Sequence, residues 1–386
     1  MAQAKQAARR TKPAAKRTST RPPTRRRPVP KELESYDPAT GELIGAVPIT
    51  PPGKVEGIAE EVARIQEGWA LTPINERQRV MERAAKILLR RADEVGLLVT
   101  REHGKTVVES AVVDVGQTIL ILDWLAEFAE RYLAPERIPN PQAFVKHKRH
   151  WVIHKALGVV GIIGPWNYPL AIPMGQVAFA LVAGNGVLLK PSEYTPLVAD
   201  EMAKLFSEAG LPDGLLRVVH GHGETGAALC QAGPVRKVFF TGSTATGTKV
   251  MQAAAKHGKP AALELGGKDP AIVCADADLD RAVAGTAWAG FFNEGQTCVS
   301  VERVYVDRKI YDEFVTRLVE RAKHLTPGNP QDPESDLGPM NNDMQYGKVV
   351  AQLDEAREQG ATIECGGPVE VAGMPGKFIA PAVLTG

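Results

Sequence analysis

Cysteine is scarce in this chain of 386 residues, which has four, at Cys230, Cys274, Cys298 and Cys365. Their spacings fit neither a zinc pattern nor a disulfide scaffold. Reduced thiols in a cytoplasmic setting are the natural reading. The eight histidines form no HExxH or similar set, so no metal site is expected. His147-Lys148-Arg149-His150 reads as a solvated strand face. No apolar signal-peptide region follows the start. Residues 156–189 carry no charge, but Pro165, Asn167, Pro169, Pro173, Gln176 and Asn185 interrupt them. Such a run suits a buried α/β core and excludes a membrane span.

Acid is absent from residues 1–31, which hold eleven of the 46 lysines and arginines. The remaining 35 basic residues face 45 acids, so the body is net acid by about ten. That average argues against nucleic acid as the body's main partner. The arm itself is rich in Lys, Arg, Pro, Ala and Thr and is expected to be disordered. Three readings of it stay open: contact with nucleic acid or another polyanion, an organelle transit peptide, or a solubilising tail.

Beyond the arm, residues 55–70, 76–103 and 106–133 read as amphipathic helices. Ile58, Val62, Ile65 and Trp69 mark one face of the first. No site motif falls in them. Residues 138–155 set Phe144, Val145, Trp151, Val152 and Ile153 among charges, which suggests exposed strands. From residue 158 the pattern alternates. Strands are expected at 158–163, 186–190, 215–219, 237–240, 261–264 and 270–274, with helices such as 196–209 and 244–256 between most of them. This predicts a parallel sheet covered on both faces. Ligands bind such sheets at the carboxyl ends of the strands. Asn167, Lys190, Gly242 and Glu264 all fall there. A helix at 278–292, a strand at 301–306, a helix at 309–324, a loop at 326–339, a further helix and a strand-like run at 378–384 complete the chain.

Residues 291–300, Phe-Phe-Asn-Glu-Gly-Gln-Thr-Cys-Val-Ser, place one thiol at a turn between a helix and a strand. A cysteine there is accessible to a substrate, and its thiolate is a strong nucleophile. A small buried hydrophobe is the alternative. Cys230 and Cys274 read as core, and Cys365, before Gly366-Gly367, as a loop thiol. Upstream, Phe240-Thr241-Gly242-Ser243-Thr244-Ala245-Thr246-Gly247 reads as a strand, a tight turn and a helix start. Gly242 admits an anion close to the backbone, and Ser243 can offer a hydroxyl; an ordinary N-capped turn is the other reading. Lys190 and Glu193 could bond two ribose hydroxyls, with the carboxylate repelling a 2′-phosphate, or could form a plain surface pair. Gly221-His222-Gly223-Glu224-Thr225-Gly226 has the G-x-G-x-x-G form but lacks the acid expected about twenty residues later. Glu264, closing a buried strand beside Gly266-Gly267, has few bland explanations. Asn167, between Pro165 and Pro169, could shape a turn or donate to an oxyanion.

Taken in order and spacing, Pro165-Trp166-Asn167-Tyr168-Pro169, Gly242-Ser243-Thr244-Ala245-Thr246-Gly247, Glu264-Leu265-Gly266-Gly267-Lys268 and the Cys298 stretch resemble the NAD(P)-dependent aldehyde dehydrogenase family. The resemblance runs from about Ser35 to the last residue. It implies an α/β fold with a doubly wound, parallel-sheet (Rossmann-like) cofactor domain at 32–137 and 156–266. It also implies an α/β catalytic domain at 267–386 and an oligomerisation strand element at 138–155, hence a homodimer or homotetramer. The implied reaction converts an aldehyde to a carboxylic acid with hydride transfer to NAD, favoured over NADP. Cys298 is the implied nucleophile, Asn167 an oxyanion donor and Glu264 the base that activates water. Trp166, Lys190, Glu193, Gly242, Ser243 and Gly247 are implied to hold the cofactor.

The sequence departs from the family at its end. Gly376-Lys377-Phe378-Ile379-Ala380-Pro381 resembles the family's Gly-x-Phe-x-x-Pro segment, but the Glu-x-Phe-Gly-Pro motif that follows in the family is not here. The chain is therefore expected to be a C-terminally truncated member. One rival keeps the ancestry and dinucleotide binding without the turnover. A second is a binding function centred on the basic arm.

Overall fold

The computed structural model describes residues 31–140 and 142–386. The expected basic arm therefore lies outside the described residues, save Lys31. The described part opens with a hairpin of β1 (Glu32–Tyr36) and β2 (Leu43–Pro48). Helices α1 (Val55–Leu71), α2 (Ile74–Arg90) and α3 (Ala92–His103) follow. The expected helix at 76–103 is thus two helices, because Arg91 leaves helical geometry at φ −110° and ψ 19°.

The run expected at 106–133 is also composite. A short α4 (Val107–Glu109), capped by Thr106, leads into a π-helical stretch, Ser110–Gly116, and then α5 (Gln117–Leu133). A small antiparallel pair, β3 (Glu136–Ile138) and β4 (His150–Val152), comes next. Its strands are exposed, and so are Phe144 and Ile153 near it.

The central sheet is built from β5 (Val159–Ile163), β6 (Gly186–Lys190), β7 (Leu216–Val218), β8 (Val235–Thr241) and β9 (Ala261–Glu264). Their spatial order is β7-β6-β5-β8-β9, and all pairs are parallel. The crossovers are α6 (Ala171–Val182), α7 (Leu197–Glu208), α8 (Gly223–Gln231) and α9 (Thr244–Ala255). Alternation along the strands explains why both faces are covered. Val160, Ile162, Val187 and Leu189 join one core with Met81, Leu122, Met174 and Phe206. Val159, Ile163 and Leu188 join the opposite core with Val62, Leu229, Phe240 and Val250. A strand buried on both faces must be apolar at every position, which is why β5 and all but the last residue of β6 carry no charge.

The sixth expected strand leaves this sheet. β10 (Asp269–Val273) pairs in parallel with β11 (Val301–Val306), across α10 (Leu279–Phe291). With α11 (Tyr311–Lys323) these surround a third core around Val273, Ala287, Phe314 and Leu318. The helix α12 (Asp343–Glu358) precedes a long hairpin of β12 (Thr362–Val371) and β13 (Met374–Thr385). Cys365 therefore lies in a strand, half-buried, and not in a loop. Cys274 is exposed, one residue past β10, whereas Cys230 is buried as expected. Burial pushes the Cys230 thiol up to about 11. Among the described residues no helix is long and apolar enough to cross a membrane.

Candidate active site

Parallel pairing brings the carboxyl ends of four strands into one row. Ile163 stands opposite both Lys190 and Phe240, and Thr241 stands opposite Glu264. The Gly164 amide donates to the Lys190 carbonyl at 2.9 Å, and the Gly242 amide to the Glu264 carbonyl at 3.0 Å. The turns after β5, β6, β8 and β9 are thus stitched side by side, as open α/β sheets require of a ligand crevice.

A cavity of about 590 Å³ opens over this row. Trp166, Lys190, Glu193, Gly242 and Ser243 line it, together with Gly223 and Glu224 from the start of α8. Lys190 is buried, so the surface-pair reading of Lys190 and Glu193 fails. Its Nζ lies 3.2 Å from a Glu193 carboxylate oxygen. Burial lowers the Lys190 ammonium from its ordinary value, and the Glu193 charge only partly restores it. For Glu193, burial works upward, but the Lys190 charge and hydrogen bonds outweigh it and hold the carboxyl below the usual range.

Ser243 is the N-cap of α9, its Oγ accepting from the Thr246 amide at 3.3 Å. The N-capped turn is present, and the same helix start faces the cavity. At Gly242 a Cβ would lie 2.7 Å from the Phe240 ring, so only glycine keeps this turn where it is. Gly247 does not line the cavity. It is buried in α9, where a Cβ would meet Leu265 at 2.5 Å, so it serves helix-to-strand packing. These residues fit an extended anionic dinucleotide, with a paired Lys–carboxylate at one end and a helix N-terminus beside a side-chain-free turn.

Cys298 is exposed, in a turn closed by the Ser300 amide donating to the Thr297 carbonyl at 3.1 Å. Asn167 meets this turn from the end of β5. Its Nδ2 donates to the Gln296 carbonyl at 2.8 Å, and its Oδ1 accepts from the Tyr168 amide at 3.1 Å. The Tyr168 hydroxyl lies 2.6 Å from Thr297 Oγ1. Burial raises the Tyr168 phenol above its ordinary value, and the nearby acidic groups, the Cys298 thiol included, add to this. From the β9 side, Gly267 borders the turn, with the position of a Cβ 3.3 Å from the Cys298 carbonyl. Glu264 is exposed rather than enclosed, because β9 is paired on one side only among the described residues and its side chains are half-buried at most. An open carboxylate, three residues before the glycine that borders the cysteine turn, has room for water.

Behind Asn167 lies a charged network with no counterpart among the expected site residues. Lys105 and Asp114 are fully buried and 2.7 Å apart. Lys105 Nζ also donates to the Asn167 carbonyl at 2.8 Å and stands 4.1 Å from the Tyr168 ring centre. Asp114 accepts from the Leu170 and Ala171 amides at 3.2 and 3.0 Å, fixing the start of α6. His103 is buried and stacks on Trp166 at 5.9 Å, its Nδ1 accepting from the Lys105 amide. One signal was available: Lys105, Glu109 and Asp114 are charges set within a valine-rich run.

A doubly wound sheet, a crevice at its strand ends and a cysteine turn beside it define an α/β oxidoreductase of the Rossmann-like class. Residues 25–386 match the aldehyde dehydrogenase family, and the chain belongs to that family. It is 40% identical over 352 residues to the betaine aldehyde dehydrogenase of Mesorhizobium japonicum, covering 90% of this chain and 71% of that protein. A betaine aldehyde dehydrogenase of Cereibacter sphaeroides is 39% identical over 347 residues, covering 90% and 70%. Among solved structures, an aldehyde dehydrogenase from Brucella melitensis biovar abortus superposes with TM-score 0.87 at 36% identity, covering 92% of this chain and 72% of that one. An NAD+ complex of an aldehyde dehydrogenase from Bacillus cereus gives 0.87 at 32%, covering 92% and 71%. An Escherichia coli NADP-dependent enzyme gives 0.87 at 34%, covering 92% and 72%.

Proposed function

We propose that this chain oxidises an aldehyde to a carboxylic acid through a thioester on Cys298, using NAD in preference to NADP. The observation that carries the reading is the meeting at one turn of an exposed Cys298, the Asn167 amide and the segment following Glu264. The Cys298 thiolate attacks the carbonyl carbon, forming a C–S bond and a thiohemiacetal oxyanion. The second Asn167 amide hydrogen and the backbone at the turn supply donors to that oxygen. A nicotinamide cofactor held along the cavity by Trp166, Lys190, Glu193, Gly242 and Ser243 would supply the hydride acceptor for this oxidation. Glu264 then takes a proton from water, the hydroxyl adds to the thioester carbon, and the thiolate departs. The products are the acid and the free thiol.

Lys190 and Glu193 are positioned for the adenosine ribose, and the Glu193 carboxylate disfavours a 2′-phosphate. Trp166, Gly242 and Ser243 hold the rest of the cofactor, while Gly247 supports the turn from behind. Residues 32–137 and 156–266 then form the cofactor-binding part and 267–386 the catalytic part. The exposed apolar side chains of Trp151, Val152 and Ile153 support the 138–155 hairpin as an oligomerisation element. Four free cysteines suit a reducing cytoplasmic setting.

The test is NADH formation with a panel of aliphatic, aromatic and semialdehyde substrates, betaine aldehyde included because of the curated relatives' names. Parent protein is run beside Cys298→Ala, with NAD and NADP compared. Turnover in the parent that vanishes in the variant supports the reading. Turnover that survives in Cys298→Ala removes the cysteine from the chemistry.

A further inference from the structure

The backbone in front of Cys298 is left-handed at three consecutive residues: Asn293 at φ 57°, Glu294 at 54° and Gly295 at 70°. Asn293 and Glu294 are the only non-glycine residues at positive φ among those described. A glutamate disfavours this conformation and keeps it only where its surroundings hold it.

Those surroundings come from three separate parts of the chain. The Glu294 carboxylate oxygens accept from the Gly338 amide at 2.9 Å and from Gln296 Nε2 at 3.1 Å. Gln296 Oε1 accepts from the Asn341 amide at 3.1 Å. The Asn293 amide donates to Glu109 Oε1 at 2.7 Å, and Asn293 Nδ2 reaches the Asn167 carbonyl at 3.3 Å. The far end of the turn, the Gln296 carbonyl, is the group that holds the Asn167 amide. The left-handed turn thus links the 338–341 segment and the end of α4 to both the thiol and its neighbouring amide.

We propose that Glu294 is a positioning residue: its side chain clamps the left-handed turn to the Gly338 amide and so sets where the Cys298 thiol and the Asn167 amide stand. The proposal rests on the reading of Cys298 as nucleophile. The charged groups facing Glu294 are Glu109 and Lys105, and Lys105 is already engaged by Asp114. Burial, then the neighbouring Glu109 carboxyl, push Glu294 well above the ordinary carboxyl range, and burial also raises Glu109. The burial of Glu294 beside Glu109 disfavours a second negative charge there. Ionisation adds that charge and works against the turn.

The experiment is alkylation of Cys298 by iodoacetamide in the full chain, read by peptide mass spectrometry across pH. Parent, Glu294→Gln and Glu294→Ala are compared, with melting temperature and steady-state kinetics measured beside it. The clamp is expected to add a pH-dependent change to the parent's rate profile. Glu294→Gln keeps one acceptor oxygen, so its plateau stays within about tenfold of the parent, the worth of one lost hydrogen bond. Its profile lacks the change that the clamp adds. In Glu294→Ala, kcat falls roughly 100-fold with KM little changed, the scale of a 1 Å misplacement.

The same change persisting in Glu294→Gln would overturn the proposal, as would Glu294→Ala alkylating and turning over at the parent's rate. Should Glu294→Ala fail to fold, the parent and Glu294→Gln profiles decide. Turnover by Cys298→Ala would overturn the nucleophile reading separately, because alkylation reports the turn without any catalysis.

Discussion

Lys105 is the side chain whose loss should be felt most widely. It is fully buried, 2.7 Å from a fully buried Asp114, and its third contact is the Asn167 carbonyl. Lys105→Met removes the cation but leaves the Asp114 carboxylate, with the Leu170 and Ala171 amides as its remaining partners. Breaking one side of a buried pair costs about 3–5 kcal/mol, a large share of the roughly 5–15 kcal/mol that holds a typical native state. Asp114→Asn strands the ammonium instead and should cost a similar amount. The double variant strands neither, so it should lose at least about 2 kcal/mol less than the sum of the singles. Urea unfolding followed by far-ultraviolet circular dichroism measures all three midpoints. Strict additivity would refute the argument that the network is held by mutual compensation. Lys105→Met, alone or in the double variant, should also lower kcat, since Asn167 loses the group that fixes its carbonyl.

Two further outcomes follow from the cavity and its wall. Glu193→Ser should raise kcat/KM for NADP relative to NAD by roughly 10- to 100-fold, the worth of relieving one like-charge contact. An unchanged ratio would remove Glu193 from cofactor choice. Burial, then the Lys105 charge, hold the His103 imidazole well below its ordinary 6.5. A depressed base gives stability that is complete above the unfolded value and is lost as pH falls. The parent should therefore lose melting temperature as pH falls below about 6.5, and His103→Phe should flatten that limb. Parallel limbs in the two proteins would show that other groups control the decline.

Much of this was readable from residue order. Strands buried on both faces must be apolar throughout, so their ends stood out where Lys190, Gly242 and Glu264 break the pattern. The cysteine turn was legible because Gly295 and Gln296 precede a thiol that no strand or helix pattern claims. The Lys105–Asp114 network was not legible. Asp114 lies where helical geometry widens to a π-helix at Ser110–Gly116, and Lys105 in the link between α3 and α4. The 3.6-residue period loses phase there, and buried charges look like a solvated face. Glu264 was located correctly but not its exposure, since nothing in a strand's own residues marks it as an edge. Gly247 adds a constraint no motif reveals: a Cβ there would meet Leu265 packed behind the turn.

The central claim is that an acyl group resides on Cys298 and that Glu264 delivers the water that removes it. Mixing Glu264→Gln protein with NAD and an aldehyde oxidised by the parent tests this most directly, with NADH and the intact protein mass followed together. The account predicts a burst of one NADH per active site, then near arrest, with the acyl mass recovered on the peptide holding Cys298. Steady turnover at the parent's rate, or a burst with no adduct on that peptide, would contradict it.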